Sequence, residues 1–165
     1  MTTASETPTA AAPLSSTTPA PALRRIDQLL AHYGESHTQP TNELIHFVAI
    51  PLIMLSLLGM LYALHPYVAY VFMAASMVYY TRLSGVFLTA MFLQTAAMLA
   101  IIQAMNQAGI LVSASIGIFV VSWIFQFIGH KIEGKKPSFF EDIQYLWVGP
   151  LFVVSKLFLK LGIRW

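Results

Sequence analysis

Four apolar runs, at residues 47–64, 67–80, 86–103 and 110–128, follow one another across short gaps, and a fifth lies at 145–159. A bilayer-crossing helix needs about 20 predominantly apolar residues. Only helices and closed barrels satisfy every backbone N–H and C=O inside hydrocarbon. Runs of this length and spacing therefore predict an all-α, polytopic membrane helix bundle. Composition agrees, with 57% hydrophobic and 10% charged residues, against about 25% charged in soluble domains. The third and fourth runs are long enough to cross unaided, while the second relies on its flanks. The fifth is short, contains Gly149-Pro150 and carries Lys156, so it is expected as a re-entrant or interfacial helix. The expected bundle thus has four transmembrane helices plus this C-terminal helix.

Residues 1–22 are dominated by Thr, Ala, Pro and Ser and predict a disordered N-terminal tail, leaving 23–165 as the helical membrane domain. A secretory signal is not expected, because the start lacks a basic segment followed by an apolar core. The absence of cysteine excludes disulfides, thiolate-bound zinc and thiol catalysis. The few basic residues form no phosphate-tracking patch, so no nucleic-acid partner is expected.

Loop charges set an orientation, because Lys and Arg in short loops favour the cytoplasmic side. Arg24 and Arg25 precede the first run, Arg82 separates the second and third, and Lys131, Lys135 and Lys136 follow the fourth. The 65–66 and 104–109 connections carry neither residue type. A cytoplasmic N-terminus with four crossings follows. It gathers His37, Asn42, His46, His130 and Glu133 at the cytoplasmic surface and places His65 on the opposite side.

Polar and ionisable side chains at a membrane boundary are costly unless they bind something. Two clusters stand there: His32, His37, Asn42 and His46 before the first run, and His130 with Glu133 at the end of the fourth. Each histidine alone reads more simply as an interfacial side chain with a wet tip, Asn42 as an N-cap, and Lys135 and Lys136 as positive-inside charges. Trp123, Phe125, Phe127, Phe139 and Phe140 read as helix and lipid packing rather than a substrate cage. Joint placement is what points to a metal site. Imidazole ligands with one carboxylate suit non-haem iron, zinc, copper or nickel, and the spacing does not choose among them. The competing classes are a zinc-dependent lipid hydrolase and a non-enzymatic scaffold or transporter. Against a transporter, no pair of broken helices marks a midplane site, and Gln126 reads as a bond to a neighbouring helix.

Two ordered signatures carry a family resemblance. The first is Tyr33, His37, Pro40, Asn42, Ile45, His46 and Pro51; the second is Trp-Ile-Phe-Gln-Phe-Ile-Gly-His at 123–130, then Glu133, Pro137 and Gly149-Pro150-Leu151-Phe152. With them the chain resembles the membrane-bound 2-hydroxy fatty acid dioxygenases of fungi and bacteria over residues 29–162. The resemblance implies Fe(II) as cofactor and a 2-hydroxy fatty acid and O2 as substrates. It implies α-oxidation, in which the bond between the carboxyl carbon and the hydroxyl-bearing carbon is cleaved and an acid one carbon shorter results. It also implies His37, His46 and His130 as iron ligands, and Glu133 as a ligand or an acceptor orienting an imidazole. Asn42 would hydrogen-bond a ligand or the substrate head, and Lys135 or Lys136 would steer its carboxylate. His32 is a weaker candidate and His65 is left out. Two departures stand out: the 130–137 loop is about one residue short for the family, and Lys156 occupies a position where an acidic residue is expected. A bacterial inner membrane is expected rather than an endoplasmic reticulum, because the chain is compact and ends at Trp165 without a retention tail.

Overall fold

The computed structural model describes residues 23–35, 37–134 and 145–165. The expected tail at 1–22 lies outside them, as do Lys135, Lys136, Pro137, Phe139 and Phe140. Every regular element among the described residues is helical: α1 (Arg25–Gly34), α2 (Pro40–Leu64), α3 (Pro66–Thr81), α4 (Gly85–Gln107), α5 (Leu111–Glu133) and α6 (Val148–Leu161).

Local sequence sets most of these boundaries. Pro40 and Pro66 open α2 and α3, where a missing N–H leaves no bond unmade and the fixed φ suits a helix. Gly134 stops α5 at φ +74°, a left-handed conformation that L side chains avoid. Pro51 lies inside α2, yet the helix runs through it unbroken. Asn42 is not the N-cap of α2; Gln39 holds that place without a side-chain cap of its own.

Helices α2, α4 and α5 are long and apolar enough to cross a membrane, which makes the chain an integral membrane protein. Helix α3, with 16 residues, is only about 24 Å long at 1.5 Å per residue, short of the roughly 30 Å hydrocarbon core. Its second run therefore does not qualify by length alone. Large side chains such as Leu44, Leu52, Phe92, Val121 and Ile124 face outward. A water-soluble monomer does not tolerate so much exposed apolar surface, whereas lipid does.

Lipid tails are as apolar as Leu, so close backbone approach rather than the hydrophobic effect holds membrane helices together. The α2–α5 pair shows this at both ends. A Cβ on Gly129 would collide with the Asn42 side chain, and one on Gly59 would collide with Ser115. The start of α2 thus lies on the end of α5, and the two run antiparallel. Around one end of this pair, Ile26, Leu30, Tyr33, Tyr80, Phe87, Leu151 and Phe158 form one core cluster. Around the other, Leu58, Met98, Ile102 and Leu111 form a second. Helix α3 consequently runs antiparallel to α2, and α4 runs parallel to it.

Helix α6 begins inside the bundle and returns to the end where α1 meets α2. Trp147, which precedes it, donates to Ser76 Oγ on α3 at 2.9 Å, and Tyr80 donates to the Trp147 carbonyl at 3.2 Å. Gly149 abuts Ile50 and Tyr33. Beyond α6, Trp165 reaches α1, its indole N–H on Asp27 at 3.2 Å and its carbonyl on Arg24 at 2.6 Å.

Candidate functional site

Three histidines from three segments meet where α2 begins and α5 ends. His37 lies in the α1–α2 connection, His46 in the second turn of α2 and His130 in the last turn of α5. Ring centroids are 4.3 Å apart for His37 and His46, 5.0 Å for His46 and His130, and 6.1 Å for His37 and His130. All three residues are buried.

Backbone carbonyls orient two of the rings. His37 Nδ1 lies 2.7 Å from the Tyr33 carbonyl, and His46 Nδ1 lies 2.9 Å from the Asn42 carbonyl. A carbonyl only accepts, so each Nδ1 carries the proton, and the neutral ring keeps its lone pair on Nε2. Metal-binding imidazoles are commonly held this way, with one ring N–H on a carbonyl and the other nitrogen toward the ion. The Nε2 atoms of His37, His46 and His130 are all buried. Tyr33 stacks on His37 at 4.3 Å and 12°, and Phe152 of α6 lies 5.5 Å from the His37 ring. Among the described residues no three His, Asp or Glu side chains form a ready-made metal shell; the imidazoles pack edge to face. The donor chemistry, three neutral imidazoles without thiolate, fits iron or zinc.

Glu133 does not join the rings. Its carboxylate accepts from the backbone N–H and hydroxyl of Thr38, from the Gln39 N–H at 3.0 Å and from Asn42 Nδ2 at 3.0 Å. It supplies from α5 the cap that Gln39 does not give α2, and an anion there complements the helix dipole. Asn42, wholly buried, uses its amide N–H on Glu133 and supports His46 through its backbone carbonyl.

The other candidates separate cleanly. His32 is exposed beside Glu35 and Tyr145. His65 is at the far end of α2, where its ring accepts from the Tyr67 N–H and caps α3. Lys135 and Lys136 lie outside the described residues. Lys156 pairs with Glu43 at 3.1 Å and lies 5.0 Å over the Phe152 ring, so the departure at this position has its own counter-charge on α2.

Beside the cluster, a cavity of about 240 Å³ runs between α2, α5 and the start of α6, lined by Tyr33, Ile50, Met54, Trp123, Gln126 and others. Its wall is almost wholly apolar, and Tyr33 connects it to His37. Trp123, expected as packing, lines this space, whereas Phe125 and Phe127 face outward. Sequence reasoning missed Thr38 and Gln39 as partners of Glu133, for which no signal exists, and Gln126 as a cavity residue, which its spacing of four from His130 could have revealed.

Residues 23–161 match the Mpo1-like family, described as 2-hydroxy-palmitic acid dioxygenase Mpo1-like. The chain is 27% identical over 142 residues to the 2-hydroxy-palmitic acid dioxygenase MPO1 of Saccharomyces cerevisiae, an alignment covering 81% of this chain and 79% of the relative. No solved structure matches it.

Proposed function

We propose, for a chain that belongs to the Mpo1-like dioxygenase family, that it carries out iron(II)-dependent α-oxidation of 2-hydroxy fatty acids to acids one carbon shorter. The observation that carries this reading is a three-histidine cluster next to an apolar cavity, with Tyr33 lining the cavity and stacking on His37. A fatty acid has the matching shape, a polar head to react and an alkyl chain to bury, at ~0.8 kcal/mol per buried methylene.

His37, His46 and His130 would hold the iron. Bound there, it would supply the redox centre at which O2 and the 2-hydroxy acid react. The protein's own work is positional. The Tyr33 and Asn42 carbonyls keep two imidazoles in the Nδ1–H tautomer. Glu133 anchors the connection that carries His37 to the end of α5 that carries His130. The apolar walls exclude water from the chain and hold the head at the cluster.

The same reading makes α3 the fourth crossing, supported by its antiparallel course between α2 and α4. It puts the histidine end in the cytoplasm, supported by Arg24, Arg25, Arg82 and Lys131 at that end. A bacterial inner membrane is the membrane we favour.

The test is O2 consumption and shortened product from 2-hydroxypalmitate, using protein purified anaerobically in detergent and loaded with Fe(II). Turnover that needs iron and disappears in His130→Ala is expected. Wild-type protein that neither retains iron nor turns over would refute the proposal.

A further inference from the structure

Gln126 lies one turn before His130 on α5, about 6 Å along the helix, so both side chains leave the same face. It is only 3% exposed. Its side chain lines the cavity, while its Oε1 is itself buried and has no hydrogen-bond partner among the described residues, so a turn about the broad terminal amide torsion is what would present that oxygen to the cavity. Among the described residues it makes no bond of the helix-to-helix kind expected from the sequence. A buried amide oxygen left unmet is destabilising, and more so beside lipid, where no water compensates.

The chemistry of that oxygen narrows what completes it. An amide Oε1 only accepts, so its partner must bring a donor. An ionised carboxylate brings none, and neither does an alkyl chain. A hydroxyl does. Along α5 the order is His130, Gln126, Trp123, Phe119, from the imidazole cluster into the apolar cavity. A fatty acid with its carboxyl at the cluster would carry its 2-hydroxyl just where the polar and apolar parts of the site meet.

We infer that Gln126 is a specificity-determining residue, accepting a hydrogen bond from the 2-hydroxyl of the bound acid through Oε1. The inference rests on the substrate class proposed above. It gives the site a means of preferring a 2-hydroxy acid to the unsubstituted acid by binding alone, because the latter leaves Oε1 unmet. A bound water is the rival occupant, and it would confer no such preference.

The test uses full-length protein kept anaerobic, so that binding is read without turnover, and measures displacement of a fluorescent fatty acid by 2-hydroxypalmitate and by palmitate. Wild type should prefer the 2-hydroxy acid. Gln126→Leu should lower that preference about tenfold, the equivalent of one neutral hydrogen bond, with palmitate affinity unchanged. Gln126→Met, unbranched like Gln, serves if the Leu variant does not fold. Retained preference in a folded variant overturns the role of Gln126 and leaves the substrate class standing. Equal binding of both acids by wild type overturns the substrate class, and this inference with it. Thermal unfolding without ligand gives a second readout: the apolar variants should unfold at a higher temperature than wild type, since they remove a buried unmet acceptor. A lower unfolding temperature in both variants would reveal a structural hydrogen bond and overturn the inference.

Discussion

Glu133, the last residue of α5, accepts a hydrogen bond from Asn42, in the first turn of α2, at 3.0 Å across 91 residues of sequence. The same carboxylate takes the Thr38 and Gln39 N–H groups. One side chain thereby caps α2, fixes the connection carrying His37 and ties both to the helix carrying His130.

Glu133→Gln keeps one acceptor oxygen and loses the charge, so it should destabilise the protein by about 1.5–3 kcal/mol, the range for hydrogen bonds to a charged group. Thermal unfolding in detergent reads that loss. The turnover proposed above should fall by more than stability explains, since His37 loses its anchor. An unaltered unfolding temperature would show that the clamp contributes nothing.

Two glycines on α5 should respond in opposite directions. Gly129→Ala drives a methyl into Asn42, and overpacking of this kind costs about 1–3 kcal/mol. A Cβ on Gly117 meets nothing within 4 Å, so Gly117→Ala should stabilise by roughly 0.5–1 kcal/mol through helix propensity. Matched unfolding curves of the two variants decide the point.

The Glu43–Lys156 pair is about one-third exposed on each side, which limits its strength to about 1 kcal/mol or less. Charge reversal at either position alone, Glu43→Lys or Lys156→Glu, should lower the unfolding temperature. The double reversal should restore it. A double variant no better than the singles would show that Lys156 is held by Phe152 packing and not by Glu43.

Met60 and Phe119 line the cavity farthest along α2 and α5 from the histidines. Met60→Trp should shorten the longest 2-hydroxy acid accepted, and Phe119→Ala should lengthen it. Competition within a homologous series of 2-hydroxy acids measures the shift. An unchanged chain-length profile in both variants would place the alkyl chain elsewhere.

Acid should loosen the contact between α1 and the C-terminus. The Arg24 hydrogen bond holds the Asp27 carboxyl below its ordinary value of 3.8. A depressed folded value gives stability that is present above the unfolded value and lost as pH falls through the folded one. Amide protection near α1, taken relative to intrinsic exchange at each pH, should therefore fall at the acid end, and Asp27→Asn should abolish that dependence. Equal pH profiles for the two proteins would deny Asp27 this role.

Sequence alone determined the membrane class, the helical content and the grouping of polar residues at helix ends. Those follow from run length, charge distribution and the need to satisfy backbone polar groups in lipid, all of which are properties of short segments. It also named His37, His46 and His130, partly through the resemblance, and set His65 aside, because charge in the connections orders the helix ends. Tertiary structure decided the rest. That Glu133 caps α2 rather than joining the imidazoles depends on the approach that Gly129 permits between α2 and α5. That Lys156 meets Glu43 depends on α6 returning to the end where α1 meets α2. That Gln126 borders a cavity depends on which faces of two helices are left unfilled. Each is a relation between residues about 30 to more than 100 positions apart, set by packing geometry that no local pattern encodes.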